Sequence, residues 1–218
     1  MNIRRGFSAI AIAMGCALVL TSCGQTSQKY ASDSKDGVFF AVPNFWNLIS
    51  EKDLIARESL STVAGAADRL ASVHWQLAFS PDKKIMAKDV LNLNAPSQPI
   101  IYARVRSLTN SEIQSVSYNE LRDLVVPLTS WEDGSAASIP QFNVMTDEES
   151  IQKGGRGVHS IFSFVNNGVD QTIDQTGLIS NNHRTLVILI ARCTTACYKK
   201  SKAEIDRAVA SFTDRGTK

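Results

Sequence analysis

The residue pattern predicts an α+β domain, an antiparallel sheet with helices packed on it. Three observations predict it. Four strand-length stretches rich in Ile, Val, Phe and Thr (142–153, 157–165, 171–180 and 184–192) follow one another, separated by turn-forming pairs. Within the last of these, residues 185–191 (TLVILIA) are apolar on both alternating faces, so this strand belongs at the centre of a sheet covered above and below. After Cys197 the period changes from two to 3.6, with Ile205, Ala208, Val209 and Phe212 at i, i+3, i+4 and i+7 on one helical face.

In chain order, residues 1–22 come first and read as a signal peptide. Arg4 and Arg5 precede an apolar run from Phe7 to Leu20, and small residues follow. The run falls short of the roughly 20 residues that span a bilayer. Leu20-Thr21-Ser22-Cys23 resembles the lipobox of bacterial lipoproteins. The resemblance implies lipid attachment to the Cys23 thiol and cleavage before it, with acyl chains replacing the lost apolar segment as the anchor. A plain secretory leader with an incidental cysteine is the alternative. Residues 24–36 (GQTSQKYASDSKD) are small and polar, and they read as a flexible tether with a reach of about 20 Å. The expected organisation is therefore a signal peptide over 1–22, a lipidated Cys23 and tether over 23–36, and one domain over 37–218.

Within that domain, residues 37–42 form a strand that ends at Pro43. Residues 51–73 are helix-permissive, with Leu54, Ile55, Leu60, Val63, Ala67 and Leu70 on a broad apolar stripe that Gly65 interrupts. Residues 75–79 are a short strand before the turn Ser80-Pro81-Asp82, and Pro96 and Pro99 bound a loop. Residues 100–108 are a strand in which Ile101, Ala103 and Val105 alternate with Tyr102, Arg104 and Arg106. Residues 117–128 carry Leu121, Leu124, Val125 and Leu128 on one side of a three-turn helix that Pro127 ends, and 131–140 is a loop. The four C-terminal strands form a meander. Its turns fall at Gly154-Gly155, at Asn166-Asn167-Gly168 and at Asn181-Asn182, pairs that tolerate positive φ.

Of four cysteines, Cys16 lies in the leader and Cys23 is the lipid site. Cys193 and Cys197 remain, two thiols in an exported and oxidising setting. Zinc would need two further ligands, and a redox site of the thioredoxin kind has one residue fewer between its cysteines. A disulfide at the junction of the last long strand and the last helix is expected, stabilising by about 2 kcal/mol.

The order of elements resembles the PsbP-like α/β/α sandwich, and more narrowly the small actinobacterial lipoproteins of the LpqN type. The resemblance is carried by Pro43-x-x-Trp46, by Ile161-Phe162-Ser163-Phe164, by Gln175, by Cys193-x-x-x-Cys197-Tyr198 and by Ser211-Phe212-Thr213. It covers about residues 37–214. It implies a binding, assembly or accessory protein and supplies no catalytic residues. The 51–73 segment is longer than a minimal version of that fold needs.

Charge argues against nucleic acid. The chain has 23 basic and 21 acidic residues, a formal +2. The leader contains both excess arginines, and without it the two signs balance at 21. Catalytic motifs are weak. Gly134-Ser135 lacks the strand-to-helix context of a serine nucleophile. Asp147-Glu148-Glu149 alternates on a strand, without calcium-loop spacing, and Gly154-Gly155-Arg156-Gly157 precedes a strand where a phosphate cradle would need a helix. His74, His159 and His183 stand singly. Lys199-Lys200-Ser201-Lys202 reads as a solvated helix end. The one aromatic-basic cluster is Tyr102, Arg104 and Arg106, with Trp131 expected nearby. It is the candidate interaction surface, because Arg and aromatic residues are enriched at binding hot spots. The expected protein is thus a lipid-anchored lipoprotein on the extracytoplasmic face of the cell membrane, with a non-catalytic binding or accessory role. It needs no metal and no cofactor. Its expected partners are the membrane and an envelope protein or small apolar ligand. The alternative is a cell-envelope hydrolase with a cryptic site.

Overall fold

The computed structural model describes residues 27–216; the leader, Cys16 and Cys23 lie outside them. The chain runs through β1 (Gln28–Asp33), β2 (Val38–Pro43), β3 (Asn47–Ile49), α1 (Glu51–Glu58), α2 (Ala66–Ala71), β4 (Val73–Ser80), α3 (Ala87–Val90) and β5 (Ile100–Ser107). It continues through α4 (Asn110–Ser115), α5 (Tyr118–Arg122), α6 (Leu128–Glu132), β6 (Phe142–Ile151), β7 (Gly155–Asn166), β8 (Val169–Ser180), β9 (Thr185–Thr194), α7 (Thr195–Ser211) and β10 (Thr213–Asp214).

The strands form a seven-stranded sheet in the order β3-β4-β5-β9-β8-β7-β6 and a three-stranded sheet in the order β1-β2-β10, antiparallel throughout. The α+β class is the one predicted, and the meander β6-β7-β8-β9 is present in full. Strand β9 is fourth of seven. Val187, Leu189 and Ala191 point to one face, where Phe40 and Val42 of the small sheet and Ile205 of α7 meet them. Leu186 and Ile188 point to the other, where Leu121 of α5 joins them. An apolar strand sandwiched in this way removes each large side chain from water on both sides of the sheet, at roughly 1.5–3 kcal/mol apiece. Further along the helical face, Leu54, Val90 and Ile100 form a second cluster and Leu128, Trp131, Phe162 and Ile173 a third.

Cys193 and Cys197 form a disulfide, with Cα atoms 5.9 Å apart, across the β9–α7 junction. Thr194 caps the same junction, its side chain accepting from the Cys197 amide. At Gly157, a Cβ would lie 1.9 Å from the Gly177 carbonyl oxygen on β8, so only glycine fits there.

Four expectations need correction. Residues 28–33 are a strand where a tether was expected. All six pair with β2, from Gln28↔Pro43 to Asp33↔Val38, and only Ala31 is buried. An edge strand held by backbone hydrogen bonds needs no apolar pattern, so polarity concealed it. The 51–73 segment is two helices. Gly65, at φ +73°, opens α2, which buries no residue, and Leu60 and Val63 lie exposed in the connection. In the 117–128 segment, α5 stops at Arg122, and Pro127 starts α6, which fits proline's tolerance at a helix entry. The expected loop over 131–140 therefore begins inside that helix, with Trp131 helical and buried. The short elements β3, α3, α4 and β10 had no periodic signal to find.

Candidate functional site

Strand β5 builds the site by its pleat. Ile101, Ala103 and Val105 turn into the core beneath the small sheet, which sends Tyr102, Arg104 and Arg106 to the helical face. Register places Arg104 between Gln76 of β4 and Ile188 of β9, and Arg106 beside Leu186. The predicted trio therefore shares one face, but its arginines are already engaged.

Tyr102, Gln76, Glu58 and Arg104 close a polar ring. The Tyr102 hydroxyl donates to Gln76 Oε1 at 2.7 Å, and Gln76 Nε2 donates to Glu58 Oε2 at 3.2 Å. Arg104 Nη1 donates to Glu58 Oε1 at 2.6 Å and to the Tyr102 oxygen at 3.3 Å. Burial pushes the Tyr102 phenol up to about 12, so it stays a donor at any physiological pH. Arg106 grips Glu112 with two parallel bonds, of 3.0 and 2.6 Å. Glu112 also accepts from the Thr109 amide, completing the capping box that starts α4. The Arg106 hydrogen bonds first, and then the Thr109 amide, hold its carboxyl down to about 2 against the cost of burial.

Between this ring and α2 lies a cavity of about 270 Å³. Its apolar lining is Leu186 and Ile188 of the central strand with Leu70 and Leu124; its polar lining includes Arg69, Arg104, Arg106 and Glu58. A second cavity, about 460 Å³, shares Glu58, Ser61 and Arg104 and adds Arg57, Leu60 and Leu91. The Glu58–Arg104 pair is thus the partition between the two. Arg57 and Arg69 have no carboxylate partner among the described residues, whereas Arg104 and Arg106 are each matched by one glutamate. Arg69, Arg104 and Arg106 line the first cavity and Arg57 the second, only Arg104 and Arg106 are paired with a carboxylate, and Arg104 Nε is buried with no hydrogen-bond partner among the described residues. The place is suited to an anionic group carried on an apolar body. Glu58, Arg57, Arg69 and Glu112 were not singled out in sequence, because the helix breaks that aim them there are tertiary features. Trp131 is elsewhere, packed on Phe142 and Phe164 at ring separations of 5.7 and 5.3 Å.

A second constellation had no sequence signal. His159 Nε2 lies 2.9 Å from Asp174 Oδ1, and its Nδ1 lies 3.3 Å from Glu148. Asp174 is buried and also accepts from the Tyr198 hydroxyl at 2.7 Å. The hydrogen bond to Asp174 raises the His159 pKa against the effect of burial, with Glu148 adding to the rise. When protonated, the imidazole donates both N–H groups to carboxylates, and the contacts tie β6, β7 and β8 together.

The other sequence candidates are local. Asp147 pairs with Arg122 at 2.8 Å, and Glu149 accepts from Tyr118, on the face opposite Glu148 as the alternation predicts. Gly154-Gly155 is a hairpin turn, in which the Gln152 amide donates to Gly155. Ser135 lies in a turn against Asp133. His74 bridges Asp36 and Ser107. No group of three or more metal-ligating side chains is clustered among the described residues.

No protein-family model matches the chain, and no curated protein matches it significantly. It is similar to several solved structures. LpqN of Mycobacterium tuberculosis, involved in cell envelope biogenesis, is 12% identical over 85% of this chain and 90% of that one, with a TM-score of 0.46. Cyanobacterial PsbP from Synechocystis is 15% identical over 88% and 95% of the two chains, with a TM-score of 0.43. The Ran-binding protein Mog1p of Saccharomyces cerevisiae is 12% identical over 87% and 96%, with a TM-score of 0.45. No residue role is transferred to this chain from them.

Proposed function

We propose that this chain is an extracytoplasmic lipoprotein, anchored through Cys23, with a non-catalytic binding or accessory role at the cell envelope. Its ligand has an apolar body and an anionic head. The observation that supports the binding role is the trough on the helical face. There the apolar central strand is left as a cavity floor beside Arg69, Arg104 and Arg106, with Arg57 in the adjoining cavity, and only Arg104 and Arg106 are matched by a carboxylate among the described residues. A sheet face that served only stability would be covered by α2, yet α2 buries none of its own residues. Support for the anchor comes from the leader and its lipobox resemblance.

The test is binding of a medium-chain fatty acid and of a medium-chain alkyl phosphate, measured by calorimetry on the folded domain. Arg69→Ala removes an unpaired cation without touching the ring, and it should weaken binding about tenfold, or about 1.4 kcal/mol. Absence of binding by both amphiphiles, or binding indifferent to both Arg69→Ala and Leu124→Asp, would overturn the proposal.

A further inference from the structure

We infer that the end of the domain formed by Ser27, the β2–β3 turn and the middle of α7 rests on the lipid leaflet that holds Cys23. The inference depends on the lipid-anchor reading above and adds an orientation to it. Its first support is chain length. Because β1 begins at Gln28, and the Asn44 amide holds the Ser27 carbonyl at 3.1 Å, the domain starts four residues after Cys23. Four fully extended residues span at most about 14 Å. A domain leashed so closely cannot present its far edges to the membrane; it presents the end where Ser27 sits.

The second support is what that end exposes. Phe45 is 59% exposed and Leu48 56%, on either side of the buried Trp46. Neither belongs to a hydrophobic cluster among the described residues. Phe45 lines a cavity of about 170 Å³ with Ser27, Gln28, Pro43 and Arg207, so the apolar ring and the entry into β1 are immediate neighbours. Tyr30, two residues beyond Gln28, is also exposed.

The third support is the rim. Lys29 donates to the Trp46 carbonyl and Arg207 Nε to the Ala203 carbonyl, and neither has a carboxylate partner among the described residues. Glu204 shares the cavity and offsets part of this charge, so apolar insertion and not electrostatic attraction should lead. Aromatic and aliphatic tips flanked by basic side chains with long stems are the composition that settles at a headgroup boundary.

The test uses the full chain purified with its anchor and reconstituted in phosphatidylcholine vesicles. A polarity-sensitive thiol dye is placed by Phe45→Cys, by Leu48→Cys, or, as a control, by Met145→Cys on β6, the opposite edge of the seven-stranded sheet. Cys193 and Cys197 are disulfide-bonded and do not react. Nitroxide-labelled lipid should quench the dye at 45 and at 48 at least twofold more than at 145. Equal quenching at all three positions in acylated protein overturns the docking while leaving the anchor intact. An intact mass without acyl chains on Cys23 overturns both. The substitutions fall on exposed side chains, and unchanged circular dichroism verifies the fold in each sample.

Discussion

Separating Glu58 from Arg104 is the most informative perturbation, because that pair both closes the polar ring and divides the two cavities. The side chains are 18% and 16% exposed, and their contact is 2.6 Å. Removing one partner of a buried pair costs about 3–5 kcal/mol, and partial exposure scales this to about 2 kcal/mol. Glu58→Gln keeps a hydrogen-bond acceptor for Arg104 and the partner of Gln76, so it should cost only about 1 kcal/mol. Arg104→Met leaves Glu58 without a cation and the Tyr102 hydroxyl without a donor, and it should cost about 2 kcal/mol. The double substitution Glu58→Leu with Arg104→Met replaces both charges by apolar volume. It should lie within about 1 kcal/mol of wild type, whereas Glu58→Leu alone should cost about 2 kcal/mol, giving a coupling energy of about 3 kcal/mol. Urea unfolding of the domain with its disulfide intact measures each value by linear extrapolation. A double variant whose loss equals the sum of the single losses would show that the pair is not coupled, and the partition would lose its energetic basis.

Other consequences concern pH and the N-terminal strand. Glu112 sits at about 2 against 4.5 for a free glutamate, so its contribution is present above pH 4.5 and is lost as pH falls toward 2. Glu112→Gln should flatten stability over that interval. The carboxylate is about a third exposed, so its loss should lower stability at pH 7 by only about 1 kcal/mol. His159 has the opposite sign: its raised pKa contributes fully below pH 6.5, and the contribution is lost as pH rises through the folded value. An NMR titration should find the imidazole protonated above the pH at which a free histidine titrates, and Asp174→Asn should reduce the elevation. Deleting residues 27–33 should lower the unfolding midpoint by several degrees, since it removes the whole β1 ladder and uncovers Ala31's place beside Val38 and Phe40. If thermal denaturation shows no change, the segment is the tether that its composition suggests.

Legibility in sequence followed the strength of the hydrophobic signal. β5, β7, β8, β9 and α7 carry sustained periodicity, because each buries a face on a large neighbour, and their bounds agree with the pattern to within about two residues. The elements that were mistaken or missed bury little. β1 buries one residue and α2 buries none, while α3, α4, α5 and α6 are four to six residues long. Their positions are set by where the long strands leave room. The candidate site divides the same way. Alternation alone put Tyr102, Arg104 and Arg106 on one face, but their partners Gln76, Glu58 and Glu112 arrive through strand pairing and through helix ends that interrupt the pattern.

The sequence by itself determined the α+β class, the two-sided burial of β9 and the disulfide of Cys193 with Cys197, because each depends on residue types at short spacing. It also contains the leader-like pattern of residues 1–22 and the lipobox resemblance on which the proposed anchor rests. Only the tertiary structure decided that the arginines wall a cavity instead of lying open, that His159 is locked between two carboxylates, and that the chain enters its sheet five residues after Cys23. Those outcomes depend on backbone pairing and cross-strand register, which join residues far apart in the chain through groups that every residue carries alike.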